Sequence, residues 1–243
     1  VTHGAGGGGS LFAPQINPFD PNELYVSSDM SQLFRTTTAG AAWDEVDFRE
    51  IQGGHETRVQ YTSDPNVLYS IDYSVVGGLD RKRPTKSTDG GRNWTPLAGD
   101  PTGGEAFYLF ADPTSTTRLV ATDYTRLFFS GDGGATWQLR YTAPNDGAGL
   151  LVGGAFWDGS NVYLGANRGL LASTNGGGSF AVAAVGGLPA GQVVISFAGA
   201  KQNGVTRFVA VTYAAADSYA GLPGYDNGGG ARVVTLDLGA ANW

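Results

Sequence analysis

The sequence predicts an all-β fold, namely a β-propeller built of four-stranded antiparallel blades. Three observations predict it: a turn motif that recurs at a fixed interval, an excess of glycine, and the absence of any convincing helical segment. Glycine accounts for 39 of the 243 residues, against a usual share of about 7%, and it is dispersed among Val, Leu, Phe and Tyr. This composition is typical of many short strands joined by tight turns.

The turn motif recurs three times in register. It reads STDGGRNW at Ser87–Trp94, SGDGGATW at Ser130–Trp137 and STNGGGSF at Ser173–Phe180, so that successive serines are 43 residues apart. A degenerate first copy, RTTTAGAAW, ends at Trp43. A period of this length indicates a solenoid, a propeller or an array. The four segments are named box turns below.

Each repeat contains the strands that a propeller blade needs. A strand, a turn built on Asp-Pro or Asp-Gly, a second strand and a third strand precede the box turn, which then leads into a fourth strand. Four antiparallel strands per repeat define a blade. We therefore predict one domain of about five blades, at about residues 8–49, 53–98, 103–142, 150–184 and 191–243.

The fifth repeat is irregular. It carries the insertion AADSYAGLPGYDNGGG and stops at Trp243 before a fourth strand is complete. An open propeller exposes long sheet edges, which natural proteins avoid. We therefore expect a second chain or further blades to complete the fold.

Glycine has a structural role at two kinds of position. In the box turns it permits a positive φ, while the Asp carboxylate accepts hydrogen bonds from its own turn and the Trp packs the turn against the blade. Glycine pairs also open the first strands, where the missing side chains allow neighbouring backbones to approach. These pairs are Gly8-Gly9, Gly53-Gly54, Gly103-Gly104 and Gly153-Gly154.

Composition excludes several classes of function. The formal charge is −7 with only 15 basic residues, so a nucleic-acid backbone is repelled on average, whereas a neutral polysaccharide is not. No run of 18 apolar residues is present, which predicts no membrane span. Cysteine is absent, so disulfides and thiol nucleophiles are excluded. Two histidines without a spaced partner do not make a metal site, and we predict neither a metal nor a cofactor.

Polar residues end the second strand of four successive repeats. They are Asp29, Asp72, Asp123 and Asn167. Equivalent positions of successive propeller blades form a ring on one face, so these side chains are predicted to line a polar ligand site. The alternative is that each one caps a turn between strands, which is a common role of Asp and Asn.

Aromatic residues adjoin the predicted ring. Tyr73 and Tyr124 directly follow two of its members, and exposed rings at such positions would stack on sugars. Trp157, just before the Asp158-Gly159 turn, is either a further stacking residue or part of the core. His55, in GGHETR, is a further candidate for ligand binding, with a surface turn as the alternative.

The repeated Ser-x-Asp-Gly-Gly-x-x-Trp resembles the Asp-box of sialidases, sortilin-type receptors and family 74 glycoside hydrolases. The stretch Gly6–Thr36 is more selective, because it resembles the opening of family 74 xyloglucanases: a glycine run, a strand, a Pro-rich turn, and a Leu-Tyr strand that ends in a catalytic Asp. That Asp corresponds to Asp29. The family continues with Ile-Gly-Gly, whereas this chain has Met30-Ser31-Gln32.

The resemblance implies a secreted glycoside hydrolase that acts on xyloglucan or another β-glucan by inversion, with Asp29 as the base. Family members have two seven-bladed propellers, and the second catalytic carboxylate lies on the second one. The glycine-rich, lysine-poor, acidic composition also favours an extracellular protein. The competing interpretation is a non-catalytic Asp-box propeller that binds glycan or protein, as sortilin-like domains and assembly factors do.

Overall fold

The computed structural model describes residues 9–186, 188, 191–215 and 232–243. The prediction of an all-β propeller of antiparallel blades is confirmed: every regular element in these residues is a strand, and they form five sheets, four with four strands and one with three. Strands that are consecutive in the chain are neighbours in every sheet. Within the same residues no helix is long and apolar enough to span a membrane.

The first two blades occupy the amino-terminal part of the chain. Blade 1 consists of β1 (Leu11–Ile16), β2 (Leu24–Ser28), β3 (Leu33–Thr36) and β4 (Asp44–Glu45). Blade 2 consists of β5 (Gln60–Tyr61), β6 (Leu68–Val76), β7 (Leu79–Ser87) and β8 (Thr95–Pro96).

The remaining blades follow in the same order. Blade 3 consists of β9 (Tyr108–Ala111), β10 (Leu119–Thr122), β11 (Arg126–Ser130) and β12 (Gln138–Thr142). Blade 4 consists of β13 (Val152–Asp158), β14 (Asn161–Ala166), β15 (Gly169–Ser173) and β16 (Ala181–Val182). Blade 5 has β17 (Gln192–Gln202), β18 (Val205–Ala214) and β19 (Arg232–Asp237), and most of the predicted insertion lies outside the described residues.

The chain divides into two compact units, and the boundary runs through blade 3. The first unit extends to Asp123 and includes Phe128–Gln138, and the second has Tyr124–Leu127 and Leu139–Trp243. Blades 1 and 2 of the first unit share a buried cluster that includes Tyr25, Leu33, Leu68 and Trp94. In the second unit, aromatic residues of blades 4 and 5 form a corresponding core around Phe208.

The box turns share one set of hydrogen bonds. Ser87 Oγ accepts from the Gly91 N–H at 2.9 Å and donates to Asp89 Oδ1 at 2.9 Å. Asp89 Oδ1 in turn accepts the N–H groups of Arg92 and Asn93, and Trp94 Nε1 donates to the Gly91 carbonyl at 3.1 Å. These bonds satisfy backbone N–H groups of the turn that have no partner in the sheet. Blades 3 and 4 repeat the pattern, with Asp132 and Asn175 in the place of Asp89.

The degenerate first copy also forms this turn, with threonine in place of serine and aspartate. Thr36 Oγ1 accepts the N–H groups of Thr38 and Gly40 at 3.1 Å, and Thr38 Oγ1 accepts the Ala42 N–H at 2.9 Å. A hydroxyl can thus supply the acceptor that the carboxylate supplies in blades 2 and 3. Ala39 takes a positive φ of 51° where the other copies have glycine.

Several glycines of the predicted pairs lie where a side chain has no room. A Cβ at Gly53 would stand 2.1 Å from the Gln32 carbonyl oxygen of blade 1, and one at Gly154 would stand 2.1 Å from the Phe197 carbonyl oxygen of blade 5. The close approach of neighbouring backbones thus requires glycine at Gly53 and Gly154. Gly104 takes a positive φ of 87°, and its Cβ would meet the Arg81 side chain at 2.5 Å. Gly8 lies outside the described residues.

Blade 2 departs from the predicted strand boundaries. Its second strand was predicted to end at Asp72, but β6 continues to Val76 and pairs along its whole length with β7. Gly77 and Gly78 join the two strands with φ values of 62° and 80°, as a type I′ hairpin requires. Blade 2 therefore carries a hairpin arm, residues 73–82, with Val75 and Leu79 exposed at its tip.

Candidate functional site

Asp29, Asp72 and Asn167, which have equivalent places in the sequence repeat, make the same main-chain hydrogen bond. Asp29 Oδ1 accepts from the Ser10 N–H at 3.0 Å, Asp72 Oδ1 from the Gln52 N–H at 2.9 Å, and Asn167 Oδ1 from the Leu151 N–H at 2.9 Å. Each donor precedes the first strand of its own blade. These side chains therefore tie the segment that leads into the first strand to the second strand of the same blade, at its end in blades 1 and 4 and within β6 in blade 2, which is a structural reason for the recurrence of Asp and Asn at this position.

Asp29 differs from the other two carboxylates in its exposure. Asp72 and Asp123 are only 5% and 7% exposed, and Asp72 Oδ2 is occupied by Ser74 Oγ at 2.7 Å and Arg83 Nη2 at 2.8 Å. Asp29 is exposed to solvent, and its Oδ2 atom has no hydrogen bond to any residue in the described part of the chain. Of these three carboxylates, Asp29 is thus the one that presents an oxygen to a ligand or a water molecule.

Gly9 makes room for the Asp29 carboxylate. A Cβ at Gly9 would lie 2.1 Å from Asp29 Oδ1 and 2.6 Å from Met30 Cγ. Any side chain at this position would therefore displace the carboxylate or break its bond to Ser10. The glycine run before β1 was the available sequence signal, although it was interpreted only as a means of bringing backbones together.

In the first unit, His55 lies in the segment of blade 2 that runs from Gln52 to Arg58, and Tyr73 on β6 packs against the same segment. Tyr73 packs on Gly54, where an added Cβ would stand 3.1 Å from the Tyr73 Cβ. The His55 ring meets the Phe12 ring edge-on, with centroids 4.6 Å apart. Both side chains are partly buried, so each offers only part of its ring to a ligand. Burial, together with the nearby Asp80, Glu56 and Glu105 carboxylates, raises the pKa of Tyr73.

The same segment carries an ion pair that sequence analysis missed. Glu56 Oε1 lies 3.2 Å from Lys82 Nζ, with the two side chains 12% and 19% exposed. Lys82 Nζ also lies 4.8 Å from the centroid of the Phe107 ring, within the range of a cation–π contact. The hairpin arm brings Lys82 to this position, and no sequence pattern placed the arm there.

In the second unit, Tyr124 and Asn167 meet around Gly149. Tyr124 is 40% exposed as a residue, and its ring Cε1 atom would lie 2.6 Å from a Cβ at Gly149. Asn167 Nδ2 donates to the carbonyls of Ala148 and Gly149. Trp157 is partly buried and pairs with Val162 near the opposite end of β13 from Asn167. The structure thus separates Trp157 from Asn167.

Blade 2 also has an open groove beside Asp72, with a volume of about 360 Å³. Its walls include Phe48, Glu50, Asp72 and Arg83, so acidic and basic groups are balanced. Arg83 Nε is buried and has no hydrogen-bond partner among the described residues. Among those residues there is also no group of three acidic, histidine or cysteine side chains that is arranged to hold a metal ion.

No protein-family model matches the chain, and no curated protein matches it in sequence. Among solved structures it is similar to an ancestral GH74 enzyme, with a TM-score of 0.74, 20% identity, and coverage of 98% of this chain and 31% of that one. It is also similar to the GH74 xyloglucanase from Xanthomonas campestris, with a TM-score of 0.69, 18% identity, and coverage of 96% of this chain and 38% of that one. YCF48 from Cyanidioschyzon merolae has a TM-score of 0.56 and 15% identity, and the match covers 84% of this chain and 66% of that one.

These likenesses define the class of fold, a propeller of the kind found in GH74 enzymes. The chain spans about a third of the length of the two GH74 structures, 31% and 38%. The activity of those longer enzymes is therefore taken up only as a proposal.

Proposed function

We propose that this protein is a secreted glycoside hydrolase-like propeller that acts on a β-linked polysaccharide such as xyloglucan or another β-glucan. The observation that carries the proposal is the Asp29 carboxylate. It is exposed, it is held through Oδ1 by the Ser10 N–H, and its Oδ2 atom has no partner among the described residues. The resemblance of the surrounding sequence to family 74 xyloglucanases supports the same residue.

Asp29 has the properties that a general base in an inverting reaction needs. Such a base takes a proton from the water molecule that attacks the anomeric carbon, while a second carboxylic acid protonates the leaving oxygen. One fixed oxygen orients the carboxylate and leaves the other for the water molecule, which must come within about 2.6–3.2 Å. Inversion places the two carboxyl groups about 6.5–9.5 Å apart. No residue of this chain is assigned as the acid.

The other candidate residues are proposed to bind sugar rather than to react. Aromatic rings pack on the apolar faces of sugars, and Tyr124 has the larger exposed ring of the two tyrosines. Tyr73 and His55 are proposed to contribute ring edges from blade 2. Asp72, Asp123 and Asn167 are proposed to have a supporting role, each within its own blade, because the first two are buried and Asn167 is bonded to main chain.

A non-catalytic propeller that binds glycan or protein is the second candidate. The observation that favours it is that Asp29 makes the same main-chain bond as Asn167, which has no carboxylate. A bond shared with an amide serves the fold, and it does not require a reaction. The structural likeness to YCF48, at 15% identity, is compatible with this candidate.

The two candidates differ in what the purified protein does to xyloglucan. A hydrolase releases reducing ends and shortens the polymer, whereas a binding propeller retards the polymer in affinity electrophoresis and leaves its length unchanged. We expect release of reducing ends with inversion at the anomeric carbon, observed by proton NMR during the first turnovers. Retardation without release over several days would favour the binding propeller.

A further inference from the structure

Arg58 is a cation without a partner in the described structure. It makes no hydrogen bond and no ion pair with any of the described residues, and it is partly buried. Glu56, the carboxylate that raises the pKa of Arg58, is paired with Lys82 at 3.2 Å. The other cations at the base of the arm are also matched, since Arg81 lies 3.7 Å from Glu105 and Arg83 lies 2.8 Å from Asp72.

A partly buried guanidinium without a counterion is unfavourable. Removal of a charge from water costs free energy unless a partner of opposite sign replaces the water. Burial accordingly lowers the pKa of Arg58, while Tyr108 and Glu56 raise it. Arginine nevertheless stays protonated in proteins, so the imbalance cannot be relieved by loss of the proton. An anionic ligand would relieve it, and the planar guanidinium fork suits a carboxylate, which it binds through two parallel hydrogen bonds.

Aromatic residues pack on the segment that leads to Arg58 and on the base of the hairpin arm. The segment Gly54–Arg58 touches Tyr73 through Gly54, and His55 contacts the Phe12 ring. Phe107 lies under the Lys82 ammonium, which pairs with Glu56. Phe12, Tyr73 and Phe107 are all partly exposed. These rings contact Gly54, His55 and Lys82, so the chain around Arg58 carries partly exposed aromatic surface as well as the unpaired cation.

We infer that Arg58 anchors a binding site for a glycan that carries uronic acid, with the guanidinium holding the sugar carboxylate. The inference rests on the proposed function in one respect, namely that the ligand is a glycan. It adds that the glycan is acidic, and it concerns a residue other than Asp29.

The test compares two ligands on the intact protein by isothermal titration calorimetry. One is a β-linked glucuronate-bearing oligosaccharide, and the other is the same oligosaccharide with its carboxylate reduced to the alcohol. The wild-type protein should bind the acidic form at least about tenfold more tightly, which corresponds to about 1.4 kcal/mol. Arg58→Gln should bind the two forms equally. Arg58→Lys should recover only part of the preference, because lysine cannot form the fork.

A matched control is Arg92→Gln. Arg92 is exposed in a box turn, where its side chain donates to the Asp89 carbonyl, and β7 separates this turn from the hairpin arm. This variant should keep the full preference for the acidic form. The melting temperature of ligand-free Arg58→Gln should equal or exceed that of the wild type, because an uncompensated charge is removed.

Three outcomes would overturn the inference. They are equal binding of both oligosaccharides by the wild type, an undiminished preference in Arg58→Gln, and tighter binding of a peptide with a free terminal carboxylate than of the uronate. Failure of this test is distinct from failure of the proposed function. Hydrolysis of neutral xyloglucan that depends on Asp29 is expected whether or not Arg58 binds a carboxylate.

Discussion

The Asp29 carboxylate is fixed by the Ser10 N–H, which donates to Oδ1 at 3.0 Å, and the same two residues also share a main-chain bond from the Asp29 N–H to the Ser10 carbonyl at 3.3 Å. Residue 10 precedes β1, and residue 29 follows β2. The carboxylate is thus placed by the residue pair at the open end of the β1–β2 hairpin. Its orientation depends on the backbone rather than on other side chains.

Gly9→Ala should disturb Asp29. The added methyl group would stand 2.1 Å from Asp29 Oδ1, so the carboxylate must move. We expect turnover of xyloglucan to fall because the carboxylate is displaced, and the melting temperature to fall as well because Gly9 takes a φ of 153°, which strains alanine. Gly103→Ala is the control for the strain, since Gly103 also has a positive φ, 72°, and its Cβ would meet nothing within 4 Å; it should lower the melting temperature and leave turnover unchanged. Unchanged kinetics in Gly9→Ala would show that the Ser10–Asp29 geometry is irrelevant to activity.

Ser87→Ala should destabilise blade 2. Ser87 is 1% exposed, and its hydroxyl accepts the Gly91 N–H and holds Asp89. Loss of a buried acceptor costs about 1–3 kcal/mol, and the melting temperature should fall by about 2–4 °C for each kcal/mol. Ser63→Ala is the comparison, because Ser63 is exposed and has no hydrogen bond among the described residues. Equal melting temperatures for the two variants would refute the structural role of the box turn.

Asp132→Asn should reduce the sensitivity of the protein to acid. The Thr136 hydroxyl, the Thr136 N–H and the Ser130 hydroxyl lower the pKa of Asp132 to about 2, against about 3.9 in an unfolded chain. A lowered folded-state pKa contributes stability above the unfolded value, and this stability is lost as the pH falls from about 4 towards 2. The amide has no such dependence, and Asn175 occupies the same place in blade 4.

The measurement is thermal unfolding at a series of pH values between 7 and 2. The wild type should melt at the higher temperature near pH 7, and the difference from Asp132→Asn should shrink as the pH falls from about 4 towards 2. Parallel curves for the two proteins across the whole range would contradict the assigned cause of the shift.

Gly154→Ala should weaken the contact between blades 4 and 5. Its Cβ would lie 2.1 Å from the Phe197 carbonyl oxygen, which is backbone and cannot rotate away. Overpacking of this kind costs about 1–3 kcal/mol. Denaturant titration should show a lower midpoint for Gly154→Ala than for the control Gly131→Ala, whose Cβ would meet only Phe129 at 3.8 Å. A midpoint within error of that control would show that the blades separate without strain.

Much of the fold was predictable because its repeated parts depend on local chemistry. The box turns need a hydroxyl, an acceptor and two residues that tolerate a positive φ, and these requirements are visible in the sequence even where Thr36 and Thr38 replace serine and aspartate. The hairpin arm was missed because Asp72 was interpreted as the end of the second strand, by analogy with Asp29, Asp123 and Asn167. Gly77-Gly78 between two β-forming runs was the signal for it.

The candidate site was only partly predictable. The sequence gives Asp29, Asp72 and Asp123 the same rank, because their positions in the repeat are equivalent. Their different burial depends on neighbours from other strands, as when Arg83 on β7 binds Asp72 on β6. The missing counterion of Arg58 could not be seen either, since the pairing of Glu56 with Lys82 requires the arm.

The central claim is that the Asp29 carboxylate acts on a glycan, and the most direct test is the rate of xyloglucan hydrolysis by Asp29→Asn. The control is Asp44→Asn, which removes an exposed carboxylate of the same blade without altering any hydrogen bond among the described residues. Asparagine preserves the bond from Ser10, as Asn167 shows in blade 4, so the melting temperature should stay constant. We expect kcat to fall by about 10²–10⁴-fold in Asp29→Asn and to remain unchanged in Asp44→Asn, whereas wild-type turnover by Asp29→Asn would contradict the claim.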